Sequence, residues 1–554
     1  MNIKRIITLC LLGGYAATAA AQGIGGGHVT GNVQLDAQMS SKDSIIGATD
    51  VPQKMLMNAR ADILYTNGDF SAGLRFEAYQ DPMLGFDPQW KGQGVANYFV
   101  AYTGRRLSVT AGYFYEQFGS GMILRAYEDR YLGLDNALLG LNLTFRPWDG
   151  VTIKALAGKQ RFYWGLGDGL VRGVDAEVDL NSIVKPMRDS KLHATIGAGF
   201  VSKYEADEAI PLPGDASYRL ALPLNVGAGA ARLNLGYGGW TLQTEYARKG
   251  QDPSALNGYV YRPGQALMLN IGYSRRGFSA GVQAKRVDNM GFKSVRSQSG
   301  EMLYINYLPA ITKNHTYAFL TMYPYATQVN GEQGLQADVM YKFKKDTPLG
   351  GKYGTDVHLN GSMVCGLDTT VTGGAGTQGY TVASGLGETF YSDISAEVAK
   401  KLSKTVKMNL TYAYQVFNPV VEGHTPDLIH NHVAIADVSW KVNKHHALRF
   451  EAEWMGSDSR YDPAEGHTDR RSGDWMMGLV EWNIGTHWFV SASDQYAYND
   501  GVGNYYNLSV GYTKGATRLQ VGYGKQREGL LCIGGVCRQV PASNGFTFSL
   551  TTSF

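Results

Sequence analysis

From Glu116 to Tyr131 the chain reads Glu-Gln-Phe-Gly-Ser-Gly-Met-Ile-Leu-Arg-Ala-Tyr-Glu-Asp-Arg-Tyr. Five charges of both signs, Glu116, Arg125, Glu128, Asp129 and Arg130, crowd this short segment. Opposed charges on a loop folded into a pore narrow it and set which solutes pass. The competing reading, of equal weight, is a loop tied to a wall by ion pairs. Gly119-Ser120-Gly121 is a weak phosphate signal, because no strand-turn-helix unit surrounds it.

Other chemistry is thin. Lys159-Gln160-Arg161-Phe162-Tyr163-Trp164 sets cations beside rings, a surface that sugars or aromatic ligands favour; an aromatic girdle at a membrane interface is the more frequent use of such residues. His430 and His432 near Asp427 match no known metal-ligand spacing, and His445 and His446 have no acidic neighbour. No Gly-x-Ser-x-Gly motif stands in the strand-to-helix setting of a nucleophile elbow. The expectation is no enzyme, no catalytic residues, no cofactor and no metal. Cys532 and Cys537, in Cys-Ile-Gly-Gly-Val-Cys, are close enough to bridge a small loop in an exported protein. Cys365 is expected as a free, lipid-facing thiol that serves as a small hydrophobe.

The elements around these residues read as strands. Phe70, Leu74 and Phe76 alternate with Arg75 and Glu77; Leu335, Val339 and Tyr341 with Asp338 and Lys342; Leu448, Phe450 and Trp454 with Arg449, Glu451 and Glu453. Tyr113 and Tyr115 alternate in the same way with Gly112 and Glu116, as do Leu410 and Tyr412 with Lys407 and Thr411. A period of two with charge on one face only means a strand whose faces meet different solvents. The strands run roughly nine to eleven residues, the length that crosses a membrane at a tilt. Arg75, Glu77, Asp338, Lys342, Arg449, Glu451 and Glu453 are then the candidates for lining a lumen.

The joints alternate between tight and long. Thr66 to Phe70, Thr103 to Leu107, Gly238 to Trp240, Arg275 to Phe278, Leu402 to Thr405, Val442 to His445, Asn483 to Thr486 and Thr513 to Ala516 are tight. Gln80 to Gly94, Phe118 to Asn136, Arg248 to Pro263, Val287 to Glu332, Gly366 to Gly387, Asn418 to Asn431, Gly456 to Gly473 and Gln526 to Ala542 are long. Short turns at one rim and long loops at the other are the habit of an outer-membrane barrel, and a Greek-key sandwich has no reason for them. The fold class expected is all-β: a single transmembrane antiparallel up-and-down barrel of about 24 strands, within 22–26 because Asp215 to Gly229 and Gly165 to Gly173 are hard to phase. The longest loop, Val287 to Glu332, has too much aromatic and proline content for a disordered linker, and capping, inward folding and partner contact all fit it.

Lys4 and Arg5, the apolar run Ile6 to Ala17 and Ala19-Ala20-Ala21 before Gln22 form an export signal over 1–21, leaving 22–554 as the barrel. The first alternation, Val33, Leu35, Ala37 and Met39, starts so early that no N-terminal plug fits before it. Removing Lys4 and Arg5 takes the formal charge from +3 to +1, so no basic excess points to nucleic acid. No later apolar run is long enough for a membrane helix, whereas 35 Tyr, 70 Gly and 9 Trp suit a barrel with aromatic girdles and tight turns.

The last strand alternates Phe546, Phe548, Leu550, Thr552 and Phe554 with small polar residues. It looks like the closing strand of a Gram-negative outer-membrane barrel, whose final aromatic residue the assembly machinery favours. Glu-Gln-Phe-Gly-Ser-Gly…Leu-Arg…Glu-Asp-Arg…Gly-Leu-Asp-Asn (Glu116 to Asn136) and Tyr-Pro-Tyr-Ala-Thr-Gln (Tyr323 to Gln328) resemble a family of uncharacterised outer-membrane barrels from Bacteroidota. The resemblance covers most of the chain and implies fold and location without assigning site residues. The expected function is porin-like: passing or binding unidentified solutes in the outer membrane, with the lipid bilayer and the assembly machinery as partners. The alternative is a non-conducting barrel whose outer loops bind a partner subunit or surface ligand.

Overall fold

The computed structural model describes residues 26–372, 377, 379–460, 469–498, 503–533 and 536–554. The expected export signal (1–21) and the start at Gln22 lie outside the described residues. Twenty-four strands form one antiparallel sheet in which chain neighbours pair and the first strand meets the last. His28–Ser41 pairs with Leu56–Asn67 on one side and with Ser543–Ser553 on the other, in a register that sets Asn32 opposite Ser553 and Leu35 opposite Leu550. Closure satisfies both edges, which an open sheet would leave unpaired.

The faces sort as their periodicity demands. Leu410 and Phe450 are 42% and 41% exposed on the outside, while Glu451 and Glu453 are 7% and 3% exposed on the inside. Around the tight-turn rim Trp240, Tyr273, Phe278, Tyr341 and Phe343 form a continuous ribbon, each ring centroid 4.8–6.4 Å from the next. An apolar wall with rings at its border suits the boundary between hydrocarbon and headgroups. No helix among the described residues is long and apolar enough to cross a membrane.

Most joints match the expected alternation. Gly366 to Gly387 keeps its place as a long joint but is paired instead of open: Thr355–Val371 and Tyr380–Lys401 pair well past these glycines, with register shifts. The two stretches that resist phasing separate cleanly. Gly165–Asp179 is one barrel strand, whereas Asp215–Arg219 belongs to a small loop hairpin with Pro211–Leu212 before the barrel strand Asn225–Tyr237. The joint between Val151–Phe162 and Gly165–Asp179 is tight although it lies at the long-loop rim.

Cys365 is also a correction. A bulge between Val364 and Cys365 interrupts the alternation, and the thiol is buried, 3.9 Å from the Thr389 hydroxyl, instead of facing lipid. Tyr115 departs as well: its strand ends at Phe114, and its hydroxyl turns inward to Asp135 Oδ1 at 3.0 Å.

Two long loops fold into the barrel. From segment 115–137, Phe118, Met122, Ile123 and Leu124 pack against inward Val171, Val201 and Val226. From segment 289–330, Phe319, Leu320, Met322 and Tyr323 pack against Phe417, Val433, Met455 and Trp475. Burying each large side chain stabilises the packed arrangement by about 1.5–3 kcal/mol. The loops also bond to each other: Arg125 N–H donates to Ile305 O at 2.8 Å and Tyr307 N–H to Gly121 O at 3.0 Å.

Candidate functional site

The sequence places Arg60 and Asp62 two residues apart on Leu56–Asn67, and Arg75 and Glu77 likewise on Phe70–Tyr79. Strand register sets Arg60 opposite Glu77 and Asp62 opposite Arg75, so one inner patch carries all four charges. Arg161 joins from a neighbouring part of the wall, and Glu128 and Asp135 descend from segment 115–137. Arg75 donates to Asp62 at 3.0 Å, to Asp135 at 3.2 Å and to Glu128 at 3.2 Å. Arg161 donates to Glu77 at 2.6 Å, to Asp135 at 2.7 Å and to the Tyr163 carbonyl at 2.9 Å. Arg60 completes the network through Asp62 at 2.6 Å and through Glu128. Four carboxylates thus face three guanidiniums. Burial pushes the Glu128 carboxyl up, against the pull of Arg75.

Glu77, Glu128 and Asp135 each bring one oxygen within 4.8 Å of the others. The arginines already engage these carboxylates, so the arrangement is a charge network that docks the loop to the wall.

Beside this network runs an open crevice of about 470 Å³ between segment 115–137 and the barrel wall. Glu128, Asp129, Arg130 and Tyr131 form its loop side, and Gln34, Asp36, Arg518 and Thr551 its wall side. Arg130 spans the gap, with Nη1 donating to Gln34 Oε1 at 2.9 Å. Toward the long-loop rim the crevice meets Phe86 and Arg538, whose guanidinium lies 4.2 Å from the Phe86 ring centroid. Arg538 belongs to the hairpin Gly529–Ile533 and Val536–Val540, where Cys532 and Cys537 face each other and are disulfide-bonded.

The expected pore-loop residues therefore divide. Glu128, Asp129 and Arg130 line the crevice. Glu116 instead accepts from Lys154 at 2.7 Å and Asn142 at 3.0 Å, and Arg125 is stacked on Tyr127 and Tyr307, 4.4 and 4.0 Å from their ring centroids. Gly119, at φ 53°, turns the chain so that Ser120 N–H donates to Glu245 at 2.8 Å, where a Cβ on Gly119 would stand 2.6 Å from the same carboxylate. Gly119 thus serves a wall carboxylate, while a Cβ on Gly121 would meet Arg125.

The expected lumen residues are all on the inner face and differ in use. Arg75 and Glu77 lie in the buried network, and Glu453 accepts the Ala318 and Phe319 amides at 3.0 and 2.9 Å. Arg449 pairs with Asp437 and Glu451. Nearer the tight-turn rim Asp338 meets His358, and Lys342 meets Asp356 at 2.8 Å. Lys159 to Trp164 is no girdle: Arg161 is in the network, and Tyr163 and Trp164 pack with Trp90 and Tyr79 toward the loops. Arg60, Asp62, Asp135, Arg518 and Arg538 are absent from the sequence-derived candidates; the Arg60–Asp62 spacing on a polar strand face is the one signal that could have marked a pair of them.

A family model matches residues 1–554. The chain belongs to the family of unknown function DUF6029. No curated protein matches it in sequence. Among solved structures it is similar to the P pilus usher PapC translocation pore, at 11% identity and a TM-score of 0.42 over 95% of this chain and 99% of that one. It is also similar to the siderophore receptor PirA from Pseudomonas aeruginosa, at 9% identity and a TM-score of 0.39 over 95% and 80% of the two chains. Pseudomonas aeruginosa OccK3 matches at 8% identity and a TM-score of 0.37, over 96% of each chain.

Proposed function

We propose that this DUF6029 barrel sits in the outer membrane of a Gram-negative bacterium and passes small solutes along the crevice beside segment 115–137. The apolar, ring-bordered outer wall supports the location. The crevice carries the functional reading: where two loops pack much of the lumen with side chains, this polar gap follows the wall from Arg518 to Arg538. Arg130, reaching across to Gln34, forms its constriction. The experiment is single-channel recording of the purified full chain in planar bilayers. Steady conductance, with cation-to-anion preference changed by Arg130→Ala, supports the path. Silent bilayers containing correctly folded barrel would overturn it.

The packing of both loops favours a second reading, a closed barrel that presents its long-loop rim to a partner subunit. Silent bilayers together with a subunit that co-purifies in fixed ratio support that reading.

A further inference from the structure

We propose that the crevice binds small organic anions bearing a carboxylate or a phosphate, through Arg130, Arg518 and Arg538. The inference rests on the solute-path reading of the same crevice and adds the class of solute.

The argument is an imbalance between acids and bases that a count of charges hides. The crevice carboxylates already have partners. Asp36 accepts from Ser549 at 2.6 Å and Gln34 at 2.7 Å, and Asp129 accepts the Tyr131 and Leu132 amides, both at 3.0 Å. Glu77, Glu128 and Asp135 are held by the arginine network. Three bases on the crevice make no hydrogen bond to a carboxylate among the described residues. Arg518 donates to the neutral Gln520 at 3.2 Å, and Arg130 gives one N–H to Gln34 and stands 3.8 Å from Glu128. Arg538 has its Nε and Nη1 shielded from water with no hydrogen-bond partner among the described residues, and burial lowers its pKa against the charge of Asp129.

A guanidinium with unused N–H groups is a fork that fits two oxygens of one carboxylate or phosphate, and a bound anion would meet the exposed forks of Arg130 and Arg518 beside the charge of Arg538. A cation entering the crevice would compete with the hydrogen bonds these carboxylates already accept. Phe86 and Tyr131 add apolar surface beside these forks, and a cleft of this volume suits a small organic molecule.

The test is calorimetric titration of the full chain in detergent, which reads occupancy whether or not the barrel conducts. The probes are gluconate, glucose 6-phosphate, neutral glucose and cationic glucosamine. The expected result is binding of gluconate, glucose 6-phosphate or both, at least about tenfold tighter than glucose and glucosamine. Which anion binds separates the carboxylate source from the phosphate source. Arg518→Gln combined with Arg538→Gln lowers that affinity at least about tenfold, and Arg538→Lys alone lowers it less. Heat-dependent migration in gels reports that each variant is a folded barrel. Anion binding to a barrel silent in bilayers keeps the site and removes the path. The proposal is overturned if neither anion binds, if glucose or glucosamine binds as tightly, or if a folded Arg518→Gln/Arg538→Gln barrel binds as before.

Discussion

Arg161 Nη2 donates to Glu77 Oε2 at 2.6 Å across 84 residues of sequence, and both side chains are 2% exposed. Among the described residues, removing the arginine leaves Glu77 with only Arg75, at 3.6 Å, and takes one of two arginines from Asp135. Breaking a buried pair from one side costs about 3–5 kcal/mol. Arg161→Ala is therefore expected to lower the urea midpoint of the barrel in lipid vesicles by that equivalent. An unchanged midpoint would mean that water already screens this network.

Glu453 anchors the longer inward loop by accepting two consecutive amides, Ala318 and Phe319. Glu453→Ala leaves both donors without that acceptor, a cost of about 1–3 kcal/mol for each buried group. The segment around Lys313, now tied to Glu397 at 3.7 Å, is expected to become open to trypsin. Cleavage after Lys313, followed by mass spectrometry, should be several-fold faster than in the parent.

Lys293 lies buried in the same loop, with Nζ on the Gly300 carbonyl and 4.4 Å from the Tyr304 ring centroid. Burial lowers its pKa from the ordinary 10.5 to about 8, and attraction to Glu301 opposes the shift. Between these values the unfolded chain holds a proton that the folded chain has released. This group's contribution therefore makes stability rise with pH from about 8 to 10.5. Urea midpoints measured across that window should climb less in Lys293→Met than in the parent; parallel curves would refute the assignment.

Gly31 and Phe554 exchange backbone hydrogen bonds of 2.9 and 3.0 Å at the closing seam. A Cβ on Gly31 would stand 2.2 Å from the Phe554 ring. Gly31→Ala should displace the ring and Phe554→Ala remove it, each costing about 1–3 kcal/mol. The double variant should cost little more than either single, because both delete one contact. Urea midpoints of the three variants measure the coupling.

The wall was legible because a two-residue period is local: Leu448 to Trp454 announces its faces without its neighbours. Strand number followed once tight and long joints alternated, and Cys532 with Cys537 was readable from spacing. The interior was harder, because no local pattern says which way a loop folds. Arg161 shows the difficulty. It stands among aromatic residues in sequence, beside a register shift between Lys159 and Arg161, and its role exists only because Glu77 and Asp135 arrive from elsewhere. Cys365 and Tyr115 were misplaced for a related reason, a bulge in one case and a strand end in the other, where strict alternation stops holding.

The pairing of His28–Ser41 with Ser543–Ser553 has a consequence for biogenesis. Ser549 meets Asp36 across 513 residues, a separation that places this contact among the slowest kinds to form. An emerging polypeptide without its final segment leaves two sticky edges, His28–Ser41 and Thr517–Gln526, with nothing to zip against. Closure therefore waits on Ser543–Ser553, the one strand that satisfies both edges at once.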